Sequence, residues 1–106
     1  MNHINVTDLK ARLDNGEKLH IIDCREEDEF NEKNIGAIFL PLSQLNTMDA
    51  EPIEDLKDQE IIVHCRSGKR SMQACMILEQ LGFQNTVNVD GGILAWIENY
   101  GDVQIK

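Results

Sequence analysis

Ile61-Ile62-Val63-His64-Cys65-Arg66-Ser67-Gly68-Lys69-Arg70-Ser71 is the stretch that decides the architecture. Its opening residues are β-branched and nearly continuous in apolar character, the mark of a strand buried on both faces. From residue 71 to 81 the pattern turns helical, with Cys75, Leu78 and Leu81 on one face and Gly82 just past the end. Ser71 reads as the residue that caps this helix. A strand followed at once by a helix leaves residues 65–70 as a turn beyond the strand's carboxyl end, where open α/β sheets bind their ligands. Amides at a helix N-terminus point into such a turn, and the helix dipole adds positive potential. Gly68 lets the backbone bend where a Cβ would clash. Lys69 and Arg70 add charge, and Arg70 is able to hold an oxyanion with two parallel hydrogen bonds. The same field favours thiolate at Cys65, which makes it the candidate nucleophile.

Working outward, short apolar runs alternate with helical stretches, the pattern of parallel βα units. Thr7 to Leu13 reads as a helix capped by Thr7 and ending near Gly16. Leu19 to Cys24 reads as a strand, Glu26 to Glu32 as a short acidic helix with a solvated face, and Ala37 to Leu40 as a strand stopped by Pro41. Between residues 42 and 58 only Pro52 to Leu56 suggests a short helix. Thr86 to Val89 reads as a last strand, broken by Gly91-Gly92, and Ile93 to Tyr100 as a closing helix carrying Trp96. No repeat, low-complexity tract or Pro/Gly-rich linker divides the chain, so residues 1–106 are expected to form one domain.

Composition narrows the function. A formal net charge of -9 repels nucleic-acid backbones and anionic membranes alike. No apolar run approaches the ~20 residues that span a bilayer. The first residues lack the basic and apolar regions of a signal peptide, which leaves the cytoplasm as the expected compartment. Three cysteines cannot all pair within one chain, and Cys24, Cys65 and Cys75 have no CxxC spacing for zinc or thioredoxin-like chemistry. No cofactor or metal cluster is expected. Arg66, Lys69 and Arg70 sit together beside Cys65, so a bound anion belongs there despite the acidic body.

Competing loop readings fail on spacing. A Walker loop needs a glycine where Val63 stands, and there is no GxGxxG. His64 is a poor general base for Cys65, since neighbouring strand residues face opposite sides. Asp23 and Arg25 read as a structural ion pair at a strand end. Cys75 reads as core, Trp96 as core or pocket wall, and Met72 and Met76 as helix packing.

Three pieces together resemble the single-domain rhodaneses: Ile21-Ile22-Asp23-Cys24-Arg25-Glu26, Cys65-Arg66-Ser67-Gly68-Lys69-Arg70-Ser71, and Asp90-Gly91-Gly92 with Trp96. The order and spacing match across almost the whole chain. The resemblance implies an α/β fold, a five-stranded parallel sheet with helices on both faces. It also implies a sulfurtransferase that moves a sulfane sulfur from an anionic donor such as thiosulfate to cyanide or a thiol through a persulfide on Cys65. Arg66, Ser67, Gly68, Lys69, Arg70 and Ser71 would then bind the substrate, and a sulfur-carrier protein is a further candidate acceptor. Asn34 stands where many members have histidine, the segment from Asn34 to Ala37 is one residue shorter, and Cys24 replaces a common valine. Cys24 reads first as a small buried residue in that valine's place. A second reading makes it a resolving thiol for Cys65, which needs Cα atoms within about 7 Å.

Two rivals remain at this stage. Cysteine phosphatases and arsenate reductases use a similar loop with five residues between cysteine and arginine, whereas four separate Cys65 from Arg70. A non-catalytic carrier or sensor of sulfur would keep the same loop and turn over slowly.

Overall fold

The computed structural model describes residues 1–102 and 104. Along the chain it runs β1 (Asn2–Ile4), α1 (Val6–Asp14), β2 (His20–Asp23), α2 (Glu27–Glu32), β3 (Ile38–Phe39), α3 (Leu42–Leu45), a 3₁₀ stretch (Glu51–Leu56), β4 (Glu60–His64), α4 (Lys69–Gln80), β5 (Asn85–Val89) and α5 (Gly92–Tyr100). The strands form one parallel sheet in the order β1-β5-β4-β2-β3. From β2 the chain moves outward to β3, whereas from β4 it moves the other way to β5. The sheet therefore switches direction between β2 and β4, and the crevice beyond their carboxyl ends is the natural ligand site of such a topology.

Alternation along the strands divides the core in two. Ile21, Ile62, Val87 and Val89 face one side, where Val6 and Leu9 of α1 and Ile93 and Trp96 of α5 cover them. Ile22, Ile61 and Val63 face the other, beneath Leu42 and Leu45 of α3 and Ala74, Cys75 and Leu78 of α4. Both faces of the sheet thus carry helices, and β4 is apolar on both because it lies at the centre. Burying each such large side chain is worth about 1.5–3 kcal/mol.

Several boundaries differ from the sequence reading. The α1 helix begins at Val6, and Asn5 rather than Thr7 caps it by accepting from the Asp8 amide at 2.8 Å. Thr7 donates its hydroxyl to the same Asn5 oxygen. Starting earlier buries Val6 against Leu9's neighbours, which a start at Thr7 would forgo. The polar N-terminus forms β1, because β5 offers it an open edge. Ser71 does not cap α4. The helix starts two residues sooner, with Gly68 at φ 109° as its N-cap residue, and Ser71 is buried in the first turn. Met72 and Met76 lie on the solvent face of α4 rather than in its packing.

Candidate active site

The sequence places Cys65 one residue past β4, and the parallel register of β2 and β4 decides what stands beside it. Asp23 pairs with His64, so Cys24 and Cys65 follow as lateral neighbours. The Cys24 amide donates to the His64 carbonyl at 3.0 Å, carrying the ladder one step beyond the strands. Both cysteines belong to the core cluster on the α4 side of the sheet.

Four groups face the Cys65 sulfur. The Gly68 amide donates to Sγ at 3.1 Å. The Ser71 hydroxyl lies 3.4 Å from it, and the Ser71 amide and the Cys24 thiol also engage it. These donors hold the Cys65 thiol down to about 4, with Cys24 the largest cause and desolvation opposing. The same contact, helped by burial, pushes the Cys24 thiol far up. One proton is thus kept on Cys24 and a negative charge on Cys65. Hydrogen bonds to the anion, rather than the loop's lysine and arginine, are the main source of this charge.

The loop is held open from behind by the second glycine turn. Asp90-Gly91-Gly92 delivers the first amides of α5 to the loop's carbonyls: Ile93 donates to Cys65 O at 2.8 Å and Leu94 to Arg66 O at 3.1 Å. Those bonds fix the first two peptide units of the loop, just ahead of the Gly68 amide that donates to the sulfur. Gly92 makes the approach possible, since a Cβ there would stand 2.4 Å from Cys65 O and 2.5 Å from Arg66 O.

A polar chain leads away from the thiol. The Ser71 hydroxyl touches Asn88 Oδ1 and Gly68 O as well as Sγ. Asn88 Nδ2 donates to Asp90 at 3.0 Å, and His3 Nδ1 lies 2.8 Å from that carboxylate. His64 takes no part in it. Its Nδ1 donates to Cys65 O at 3.3 Å, and burial keeps the ring neutral by pushing its titration down. Asp23 and Arg25 form the structural pair read from the sequence, at 2.9 Å and almost fully buried.

A family model described as the rhodanese-like domain matches residues 5–99. The chain belongs to the rhodanese-like family. It is 39% identical over 98 residues to the protein YtwF of Bacillus subtilis, covering 91% of this chain and 90% of that one. It is 35% identical over 97 residues to a protein of Allochromatium vinosum named sulfurtransferase, with 91% and 88% covered. The crystal structure of a rhodanese-related protein of Thermoplasma volcanium superposes with a TM-score of 0.78 at 33% identity, covering all of both chains.

Within this rhodanese-like domain the predicted site residues fall into two sets. Cys65, Gly68 and Ser71 converge on the sulfur. Arg66, Ser67 and Lys69 are exposed on the rim. Arg70 is turned aside: its guanidinium makes a two-pronged pair with Glu29 of α2, at 2.6 and 2.8 Å. That pairing pulls the Glu29 carboxyl down to about 2. The acidic α2 is therefore more than a solvated face. Arg66 lines a pocket of about 220 Å³ beside the loop, with Arg25, Glu29, Ile93, Leu94 and Ile97. A second cavity, of about 260 Å³ around Arg12, Glu17 and Glu60, lies at the opposite end of β4. Asn34, in place of the family's histidine, is used locally, accepting from the Gly36 amide and donating to Phe30 O, each at 3.0 Å.

Sequence reasoning missed Glu29, Asn88 and the buttressing role of Gly92. An inward polar residue in an apolar strand, Thr86-Val87-Asn88-Val89, was the available signal for Asn88. Among the described residues, no group of three or more His, Cys, Asp or Glu is placed to hold a metal.

Proposed function

We propose that this domain is a sulfurtransferase that carries a sulfane sulfur as a persulfide on Cys65. The observation that carries the reading is the sulfur's setting: a thiolate at about 4, facing the Gly68 amide and the start of α4. In the first half-reaction the Cys65 thiolate attacks the outer sulfur of thiosulfate. The new Sγ–S bond forms as the donor's S–S bond breaks, and sulfite leaves with the electron pair. In the second, cyanide, a small thiolate or a carrier protein's thiolate attacks the outer sulfur and returns the electron pair to Cys65. The Gly68 and Ser71 amides stabilise the anionic persulfide at little reorganisation cost, because they already face the sulfur and α5 fixes the start of the loop.

Exposure supports the choice of reacting atom. Cys65 is only 1% exposed, so the entering atom must be terminal and narrow. A single-coordinate sulfur meets that need better than a tetrahedral phosphoryl group, and the loop of four residues before Arg70 is short for a phosphate. Rim cations Arg66 and Lys69 attract the donor anion, and Arg70 joins them when it leaves Glu29. A cytoplasmic setting suits three free cysteines.

Thiosulfate should leave the protein one sulfur atom heavier by intact mass, and dithiothreitol should remove that mass. Cys65→Ser should lose both the adduct and thiosulfate:cyanide activity. Normal turnover by Cys65→Ser would sink the mechanism.

A further inference from the structure

We propose that Cys24 is the resolving thiol of Cys65: once a hydroperoxide has oxidised the Cys65 sulfur, Cys24 closes a disulfide onto it. The inference starts from register. Laterally paired residues of adjacent parallel strands lie about 4.8 Å apart and project to the same face. That spacing is inside the 4.4–6.8 Å Cα window of a disulfide. Cys24 and Cys65 follow directly on the pair Asp23 and His64, and both point into the cluster that contains Leu40, Ala74 and Leu78. Cys24 is held by the His64 carbonyl on one side and by the Leu42 amide, which donates to Cys24 O at 2.9 Å, on the other. The two thiols already engage each other across this pair.

The protonation pattern suits the sequence of steps. Cys65 is the thiolate and meets the oxidant, while Cys24 is fully buried and holds the proton. The Cys65 thiolate attacks one peroxide oxygen. The O–O bond breaks, two electrons pass from sulfur to oxygen, and Cys65 becomes a sulfenic acid as hydroxide leaves. The Cys24 sulfur then attacks Cys65 Sγ, the Sγ–O bond breaks, and the departing hydroxide takes the Cys24 proton and leaves as water. A thiolate and a thiol have become one disulfide, and the peroxide has become one water and one hydroxide, which takes a proton from solvent. A dithiol reductant returns two electrons and two protons to restore both thiols. Without a resolving thiol, the sulfenic acid proceeds to sulfinic and sulfonic acids, which a dithiol cannot reduce.

This step is independent of the sulfur-transfer reading, since it involves no sulfur donor. Purified, reduced protein is treated with dilute hydrogen peroxide, blocked with iodoacetamide and mapped without reduction. The wild type should lose two hydrogens and yield a peptide joining Cys24 to Cys65, and dithiothreitol should restore the free thiols. Cys24→Val should instead gain two or three oxygens on Cys65, and dithiothreitol should not remove them. The wild-type map decides the matter even if the variant folds poorly. A disulfide from Cys65 to Cys75, or sulfinic acid at Cys65 in wild type with no Cys24 cross-link, would overturn the proposal. A wild type that forms the cross-link yet takes up no sulfur from thiosulfate would sink the proposed function and leave this inference standing.

Discussion

Gly92→Ala puts the buttress under the loop to a quantitative test. Gly92 has φ 55°, in the region where a non-glycine residue costs about 1–2 kcal/mol. Its new Cβ would lie 2.4 Å from Cys65 O, a full ångström inside ordinary contact, which begins at 3.4 Å. The obstacles are backbone atoms of residues 65 and 66, so relief requires the loop and α5 to part. Parting them weakens the bonds from Ile93 and Leu94 to the loop carbonyls, each worth about 1 kcal/mol. The expected loss is about 3–4 kcal/mol in urea unfolding, together with a fall of about 100-fold in kcat/KM, the usual cost of displacing reacting groups by about 1 Å. Gly16→Ala is the control. Gly16 has φ 84° with nothing within 4 Å of a new Cβ, so it carries the conformational cost alone and lies far from the loop. It should lose about 1–2 kcal/mol and no activity in the remaining folded protein. Equal destabilisation by the two variants, or wild-type kcat/KM in Gly92→Ala, would refute the reasoning.

Other outcomes follow from the same geometry. Alkylation of Cys65 should be flat across neutral pH and fall only as pH drops through about 4, because the thiolate persists until then; a rate that climbs through pH ~8.5, as for an ordinary thiol, would contradict it. Ser71→Ala removes one donor to the thiolate, so the same alkylation profile should shift to higher pH. Arg70→Ala should lower kcat/KM for thiosulfate about tenfold, about 1.4 kcal/mol of transition-state binding. Glu29→Gln should do the reverse, lowering the thiosulfate KM and steepening its salt dependence as Arg70 is released; a raised KM would show that Arg70 serves only to anchor α2. Aryl phosphates should be hydrolysed poorly by the unmodified protein, and efficient turnover would favour the phosphatase reading.

The centre of the molecule was legible because its signals are local. A β-branched run, a cysteine and a glycine-bearing turn before a helical period specify β4, the loop and α4 within about twenty residues. The asparagine at residue 5 was no less local, but Thr7 offered a competing cap two residues before Leu9, and the burial of Val6 favours the earlier start. β1 was not legible, since Asn2-His3-Ile4 becomes a strand only by meeting β5 some eighty residues later. The pairing of Arg70 with Glu29 spans 41 positions and joins two helices whose approach is a property of the sheet order. Ser71 looked like a cap because serine before an apolar helical face usually is one. The left-handed Gly68 moves the helix start forward and turns Ser71 toward the sulfur instead.

The way the loop is fastened separates two requirements that a smaller site would have to satisfy with the same atoms. The Gly68 and Ser71 amides, the Ser71 hydroxyl and the Cys24 thiol grip the sulfur, and α5 anchors the start of the loop through the Cys65 and Arg66 carbonyls. The side chains of Arg66, Ser67 and Lys69 stand outside that frame, in solvent. Substitution at these three positions can therefore alter which donor or partner the rim attracts and leave the sulfur cradle in place. A library varied only at residues 66, 67 and 69 is the economical route to testing whether the rim sets donor preference.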